Sequence, residues 1–539
     1  MSAFPKRDFR ASMTWLHSWA GIIPTLLFFA VFWMGTLSVF DKEIDRWMQP
    51  ESRYAGPPIA YDLDASIETF IGAQNGVEVT SLFIMPPKPR EPYLYFYGVL
   101  AEEVNGKTYS YGRFVGESNE MLGEPQSLAG SGFIFPFHFK LHIPGNFGYY
   151  LIGAVALAML VLTVTGVIAH RKIIADFFTF RPTRKARRVT LDLHNLMGVV
   201  GLPFYFLFAL SGLYIFAGWF AALPMQTVDG VMGKSPVAFL ELADSQSPKR
   251  RPRAGQSIAM DKAIMPFKTQ AEALWSERYG APVMADRVRI EHYGDANATV
   301  IVHRVFPGRR VTMAQDRIDF DYATGTVLYD QQATPATATR SWLEGLHFVQ
   351  FEHWPLRWLF FAGGAAGCIL TATGALFWMR SREKKAGAQP FNIRFVHAMT
   401  VGSVTGIMLA TGVFFVANRF IALGALPPGI APIEWEPITF YIAWLLSFIH
   451  AAARGRSAWM DQCFFIAILS LSAAVLNWVT TGDHLIKTMT TGMWSIAGMD
   501  LLLLLTSALS AWSAIHLRGK ARQRPFAVQG DDPALQPAE

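Results

Sequence analysis

Between Phe147 and Ala169 the chain carries no charged side chain, and no other feature restricts its fold as much. The stretch matches the ~20 apolar residues that a helix needs to cross a bilayer. His138 and His142 stand just before it, His170 closes it, and a block of arginines and lysines follows as far as Arg188. At the rise of an α-helix, roughly 42 Å separates His142 from His170, about the thickness of a bilayer with its headgroups. The two imidazoles are therefore expected at opposite membrane faces. Neutral imidazole is a good axial ligand for haem iron, and other apolar stretches here also carry histidines at their ends. A transmembrane electron path is the first functional expectation.

The 539 residues are 52% hydrophobic and only 16% charged, too apolar a balance for a soluble multidomain protein. Cys368 and Cys463 lie in or at apolar runs, so neither a disulfide framework nor a CxxC metal site is available, and bound iron must use histidine. The net charge of +6 does not read as a nucleic-acid footprint, because the cations sit in short loops beside apolar runs. Lys6, Arg7 and Arg10 precede the first run, and Arg171 to Arg188 follow the second. Arg380, Arg382, Lys384, Lys385 and Arg394 lie between the fourth and fifth, Arg454 and Arg456 after the sixth, and Arg518, Lys520, Arg522 and Arg524 after the eighth. The positive-inside rule makes all of these loops cytoplasmic, together with both termini.

The expected fold is an α-helical polytopic membrane protein of about eight transmembrane helices, internally duplicated, with two small α+β domains on the far side of the membrane. Residues 1–44 hold the N-terminus and a first span, and 45–138 the first outer domain, with a helix from Asp62 to Ala73. Its strands are expected at Glu78 to Met85, Tyr93 to Leu100 and Lys107 to Phe114. Residues 139–220 hold the second span, the basic loop and the third span. The second outer domain, 221–346, repeats the plan, with a helix at Gln270 to Tyr279 and strands at Arg287 to His292, Ala298 to Val305, Arg310 to Met313, Arg317 to Asp321 and Thr326 to Tyr329. Two spans fill 347–417, three more fill 418–517, and 518–539 is a polar tail. The duplication shows in the spans: Gly21 and Gly35 follow His17 at the offsets at which Gly198 and Gly212 follow His194, and the TVTGVIAH ending of the second span matches TATGALFW in the fourth. The match fails where His170 is answered by Trp378.

Of thirteen histidines, only His292 and His303 fall well inside an outer domain. Interfacial capping accounts for any single histidine at a span end, and it suits His450, His484 and His516, but caps need not recur at matching points of two repeats. The repeat suggests His142 with His347 outside and His17 with His194 inside, each as the bis-histidine ligands of one haem. His170 and His397 are rival ligands on the inner side, and His138 and His353 are alternatives outside. Gly363-Gly364-Ala365-Ala366-Gly367 sits within a span and reads as close helix packing rather than phosphate binding.

The order of span, outer α+β domain, TVTGVIAHRK exit, RPTRKARRVTLDLHNLMG and the late strand FDYATGTVLYD resembles bacterial PepSY-associated transmembrane proteins, over roughly residues 10 to 415. The resemblance implies an inner-membrane protein with PepSY domains facing the periplasm. The iron-uptake branch of that family is similar to ferric-siderophore reductases that carry b-type haem between membrane-helix histidines. By position, the resemblance puts His17, His142, His170, His194, His347 and His397 on the family's histidine-bearing span ends. It implies haem b, two per chain, a ferric siderophore or other ferric chelate as substrate, and membrane lipids as surroundings.

The expected function is thus an inner-membrane haem b oxidoreductase of iron assimilation. Reduction releases iron because Fe(II) is held more weakly than Fe(III) by hard oxygen ligands. No strand-linked GxGxxG is present, so electrons are expected from a partner protein or quinol. One rival is an ion-coupled or siderophore transporter, for which Asp500 is the intramembrane acid in question. Another is a membrane-anchored PepSY binding or regulatory protein, for which eight spans are more than an anchor needs.

Overall fold

The computed structural model describes residues 6–522 apart from 23, 54–60, 75, 105–106, 110–112, 117–119, 123–124, 171–180, 182–185, 217–250, 305–310, 314–315, 332–334, 384–390 and 425. Most of the basic loop after the second span, the start of the second outer region and the polar tail lie outside the described residues. The chain forms two compact units, one of Met1–Arg382 with Ile486–Ala497, the other of Glu383–Leu485 with Gly498–Glu539.

In the first unit the opening apolar run is not one rod. Helix α1 (Lys6–Ile22) and helix α2 (Thr25–Ser38) meet at a 68° bend. Pro24 stands at the N-cap of α2, where a residue without N–H is tolerated but a continuous helix is not. Helix α3 (Asp41–Met48) follows at once. Helix α4 (Leu63–Gly72) begins where the Asp62 carboxylate accepts from the backbone N–H of Asp64 and Ala65, an N-cap. Strands β1 (Val79–Met85), β2 (Leu94–Val104), β3 (Lys107–Tyr109) and β4 (Arg113–Val115) come next. A short helix, α5 (Phe135–Lys140), then leads to α6 (Phe147–Ala169).

The third span repeats the break of the first: α7 (Ala186–Val200) and α8 (Leu202–Ile215) meet at 62°, with Gly201 at the joint and Pro203 in the first turn of α8. After α9 (Met265–Tyr279) come β5 (Arg287–Glu291), β6 (Thr299–Arg304), β7 (Asp316–Asp321) and β8 (Val327–Asp330), then α10 (Pro335–Phe348) and the long α11 (Trp354–Glu383). The strand expected at Arg310 to Met313 does not form at its described residues.

The two outer regions were expected as separate domains, and the strands correct this. β1 pairs antiparallel with β5, Leu82 opposite Ile290, so all eight strands form one sheet in the order β3-β2-β1-β5-β6-β7-β8, with β4 on β2. Side-chain alternation explains the choice. Leu82, Ile84, Phe96, Val288, Ile290, Val300 and Val302 all point to one face and are fully buried in one core with Phe70 of α4 and Trp275 of α9. Each side chain of this size stabilises by about 1.5–3 kcal/mol when withdrawn from water, so two half-sheets sharing a core gain more than either would alone.

Beneath the sheet lies an ion network. Asp41, Glu43 and Asp45 of α3 are buried rather than solvated. Glu43 takes two guanidinium forks, from Arg90 (2.8 and 3.1 Å) and from Arg357 of α11 (2.9 and 3.1 Å). Arg90 also donates to Gln350 at 2.8 Å, and Gln350 to Asp41 at 3.2 Å. Arg90 stands between β1 and β2, so the network fastens the sheet to α3 and to the first turn of α11.

The second unit is helical: α12 (Phe391–Val401), a π-turn at Gly402–Gly406, α13 (Ile407–Ala422), α14 (Pro432–Arg454), α15 (Ala458–Thr481), the residue opening α16 (Leu485–Thr490), and α17 (Trp494–Arg522) from Gly498 onward. Its buried polar groups pair with one another. Asn418 donates to Glu436 (2.7 Å), Arg419 to Asn477 (3.1 Å), and Asn477 to Asp500 (3.2 Å). Five described helical stretches are long and apolar enough to cross a membrane, and up to seven if each bent pair is one span. One of the five, Pro432–Thr481, contains both α14 and α15. The protein is a polytopic membrane protein.

Candidate functional site

Four histidines of the first unit meet in two pairs. The rings of His138 and His347, on α5 and α10, lie 6.1 Å apart between centres. Those of His17 and His194, on α1 and α7, lie 6.3 Å apart. The first is called here the sheet-side pair, since α5 and α10 each follow a strand segment, and the second the distal pair.

Each imidazole is seated the same way. His17 rests on Gly166 of α6, where a Cβ would come within 3.0 Å of its Cε1, and His138 on Gly35 of α2, where the distance would be 2.7 Å. His194 rests on Gly374 of α11 and His347 on Gly212 of α8, each at 3.1 Å. Any side chain at these glycines would displace the ring. The Nδ1 of His17 donates to the carbonyl of Leu162 (3.1 Å), that of His138 to Val31 (2.8 Å) and that of His194 to Leu370 (3.0 Å). In each case the acceptor lies four residues before the seat glycine. His347 differs: its Nδ1 bonds Ser211 Oγ at 2.8 Å, and that hydroxyl donates to the Leu207 carbonyl. A carbonyl only accepts, so the proton is on Nδ1 and the lone pair on Nε2, the arrangement of a metal-ligating histidine oriented by its surroundings.

The sheet-side pair opens into a cavity of about 350 Å³ lined by Phe32, Tyr205, Phe208, Phe216 and Phe348 among others. Burial pushes both imidazoles below their ordinary value, His347 to about 3, so both are neutral. The chain ends α5 and α10 just past the histidines by turning left-handed: Leu141 and His142 have φ of 52° and 51°, and Val349, a β-branched residue, has 54°. Strain of this kind persists where the surroundings fix the backbone.

A metal held at about 2 Å from each of two imidazole nitrogens puts the ring centres about 6 Å apart. Among the described residues no group of three or more His, Cys, Asp or Glu side chains would hold a bare metal ion. Two imidazoles suffice where a porphyrin supplies the remaining four ligands, and at the sheet-side pair the aromatic cavity leaves room for a flat ring. The residues of the sheet-side pair therefore fit a haem, and the distal pair repeats their ring separation and Nδ1 anchoring.

Of the expected ligands, His17, His194 and His347 are brought into these pairs. His142 is not, and its pairing with His347 is corrected: it donates from Nε2 to the Phe133 carbonyl (2.9 Å) and stacks on the Phe133 ring at 4.7 Å. His138 takes its place. His170 caps the end of α6 and stands outside the pair. His353 is exposed. His397 belongs to the second unit, edge-on to Trp459 at 6.4 Å. The sequence holds the signal for His138: His138-Phe139 and His347-Phe348 match, as do His142-Ile143-Pro144 and His353-Trp354-Pro355. Aligning these dipeptides equates His138, not His142, with His347. The glycines carried a second signal: Thr165-Gly166, Ser211-Gly212 and Thr373-Gly374 place a hydroxyl beside three of the four seats.

The uncharacterized protein PA4219 of Pseudomonas aeruginosa is 26% identical over 405 residues, which cover 71% of this chain and 94% of that protein. The family described as the PepSY-associated TM region matches residues 14–381, a stretch that contains all four paired histidines and their glycine seats. The chain belongs to the PepSY-associated transmembrane family.

Proposed function

We propose that this protein is a haem b oxidoreductase of a bacterial inner membrane, passing electrons across it to reduce a ferric chelate such as a siderophore, with the sheet on the periplasmic side. The observation that carries the reading is the repeated construction of the two histidine pairs, four imidazoles each fixed by a glycine seat and an Nδ1 hydrogen bond. Haem supplies one-electron chemistry when held between two imidazoles. His138 with His347 and His17 with His194 are the residues that hold it.

Ligands at opposite membrane faces would leave a long gap for direct transfer, and the bent helices support a shorter path. On α6 the sheet-side cavity reaches Met159, and the Leu162 carbonyl that anchors His17 is three residues further, about 4.5 Å along the axis. Tyr205 lines that cavity and donates to the Met197 carbonyl (3.0 Å) on α7, the helix of His194, while Phe32 packs edge-on against it at 5.8 Å. Phe208 lies 6.2 Å from His347, beside the sheet-side pair, whereas Trp33 stacks on Phe29. Electrons enter from a quinol or a partner protein.

The reading is tested by reducing the purified protein with dithionite and mixing it with a ferric siderophore. Reoxidation of a b-type spectrum together with trapping of Fe(II) supports it, and a protein without haem defeats it. The transporter reading keeps one observation, the buried network of Arg419, Glu436, Asn477 and Asp500. If Asp500→Asn abolished uptake while leaving haem content unchanged, transport would move ahead.

A further inference from the structure

Two buried side-chain nitrogens at equivalent points of the repeat have no hydrogen-bond partner among the described residues: His170 Nδ1 and Trp378 Nε1. His170 stands four residues after Gly166, the seat of His17, and Trp378 four residues after Gly374, the seat of His194. Each is thus one helical turn beyond the distal pair, on α6 and on α11. A guanidinium accompanies each. Arg10 donates to the Ala169 carbonyl at 2.9 Å, beside His170, and Arg382 lies 4.0 Å above the Trp378 ring and 5.0 Å from that of Trp19, two residues after His17.

A buried ring nitrogen left without a partner is destabilising. Two at repeat-equivalent positions, both attended by cations, mark a place for two anionic acceptors. The repeats differ in sequence here, histidine in one and tryptophan in the other, yet imidazole and indole share a ring N–H of similar reach. From this we infer that His170 and Trp378 each bind one carboxylate arm of the iron porphyrin held between His17 and His194, with Arg10 and Arg382 supplying the counter-charge. The inference rests on the proposed haem at the distal pair. It gives His170 a role other than iron ligation and explains why tryptophan can stand where the first repeat has histidine.

The test compares haem with its dimethyl ester, whose two carboxylates are masked. Full-length apoprotein carrying His138→Ala, which leaves the distal pair as the remaining site, is titrated with each while the Soret band is followed. Binding of haem about tenfold or more tighter than of the ester is expected, the discrimination of charge-assisted hydrogen bonds. His170→Phe and Trp378→Phe should each lower that ratio several-fold, while His170→Gln and Trp378→His, which keep an N–H, should retain most of it. An unchanged ratio in both phenylalanine variants overturns the inference, as does equal binding of haem and ester by the parent. In either case haem still binds and the proposed function stands. No binding of either porphyrin to the parent removes the function and the inference together.

Discussion

The two histidine pairs are built alike and finished differently. Both rest on glycines and both fix Nδ1 by hydrogen bonds, so ligand geometry is set by the same device in each repeat. At the sheet-side pair the surroundings are an aromatic cavity, and one of the two orienting acceptors is the Ser211 hydroxyl. At the distal pair the acceptors are the Leu162 and Leu370 carbonyls, with the Thr165 hydroxyl also 3.2 Å from His17 Nδ1, and the next turn brings His170, Trp378 and two arginines. Duplication has kept the seating of the imidazoles and varied what surrounds it, and polarity and hydrogen bonding around an iron centre are what tune its potential. Two centres of one construction and different polarity are what a directional electron path requires.

The sharpest way to break the comparison is at the seats. Gly35→Val or Gly212→Val should remove the sheet-side haem and Gly166→Val or Gly374→Val the distal one, halving the haem per chain in a pyridine haemochrome assay. Retention of both haems in all four variants would break the account of the seats. Next comes the choice between neighbouring histidines: His138→Ala should lose one haem, whereas His142→Ala should keep both and cost only the stability of its bond to Phe133, about 1 kcal/mol. The opposite pattern would restore the pairing first suggested by sequence. Smaller again, Ser211→Ala should weaken sheet-side haem binding by about tenfold, the lower end for loss of an orienting partner, with the distal site unaffected. Competition with apomyoglobin measures this.

The smallest effect is in the ion network beneath the sheet. Burial opposes the Glu43 charge, but Arg90 and Arg357 overcome it and hold the carboxyl at about 2, below its ordinary 4.5. A depressed carboxyl stabilises the fold above its unfolded value, so this contribution should be lost as pH falls from 4.5 towards 2. Burial raises Asp45 instead, to about 6 despite Lys42, and its contribution runs the other way, present below 3.8 and lost as pH rises through 6. Thermal unfolding followed from pH 3 to 7 should show the acid-side loss in the parent and a flatter acid slope in Glu43→Gln.

Much of this plan was legible because membrane helices and strands obey simple periodicities. The α6 span, helix α4, strands β1, β2 and β5 to β8 and the pair His17 and His194 lie where hydropathy, alternation and the repeat put them. What escaped depends on contacts between distant segments. The sharing of one sheet by two outer regions needed the β1–β5 pairing, which neither segment's own pattern encodes. The breaks at Pro24 and Gly201 divide each apolar run into two helices, yet a run of apolar residues reads as one rod. His142 looked like a ligand because it lies nearer the start of α6, while the left-handed turn at Leu141 and His142 sends it back to Phe133. The glycines were visible as repeat markers, and only the packing shows that imidazoles rest on them.

The central claim is that two iron porphyrins sit between these four histidines. Haem stoichiometry combined with low-temperature electron paramagnetic resonance of the oxidised protein tests it most directly. Two b-type haems per chain are expected, both low-spin with two imidazole ligands, with one low-spin signal removed by His138→Ala or His347→Ala and the other by His17→Ala or His194→Ala. A protein that takes up no haem when haem is plentiful, or one that keeps both signals in these four variants, would contradict it.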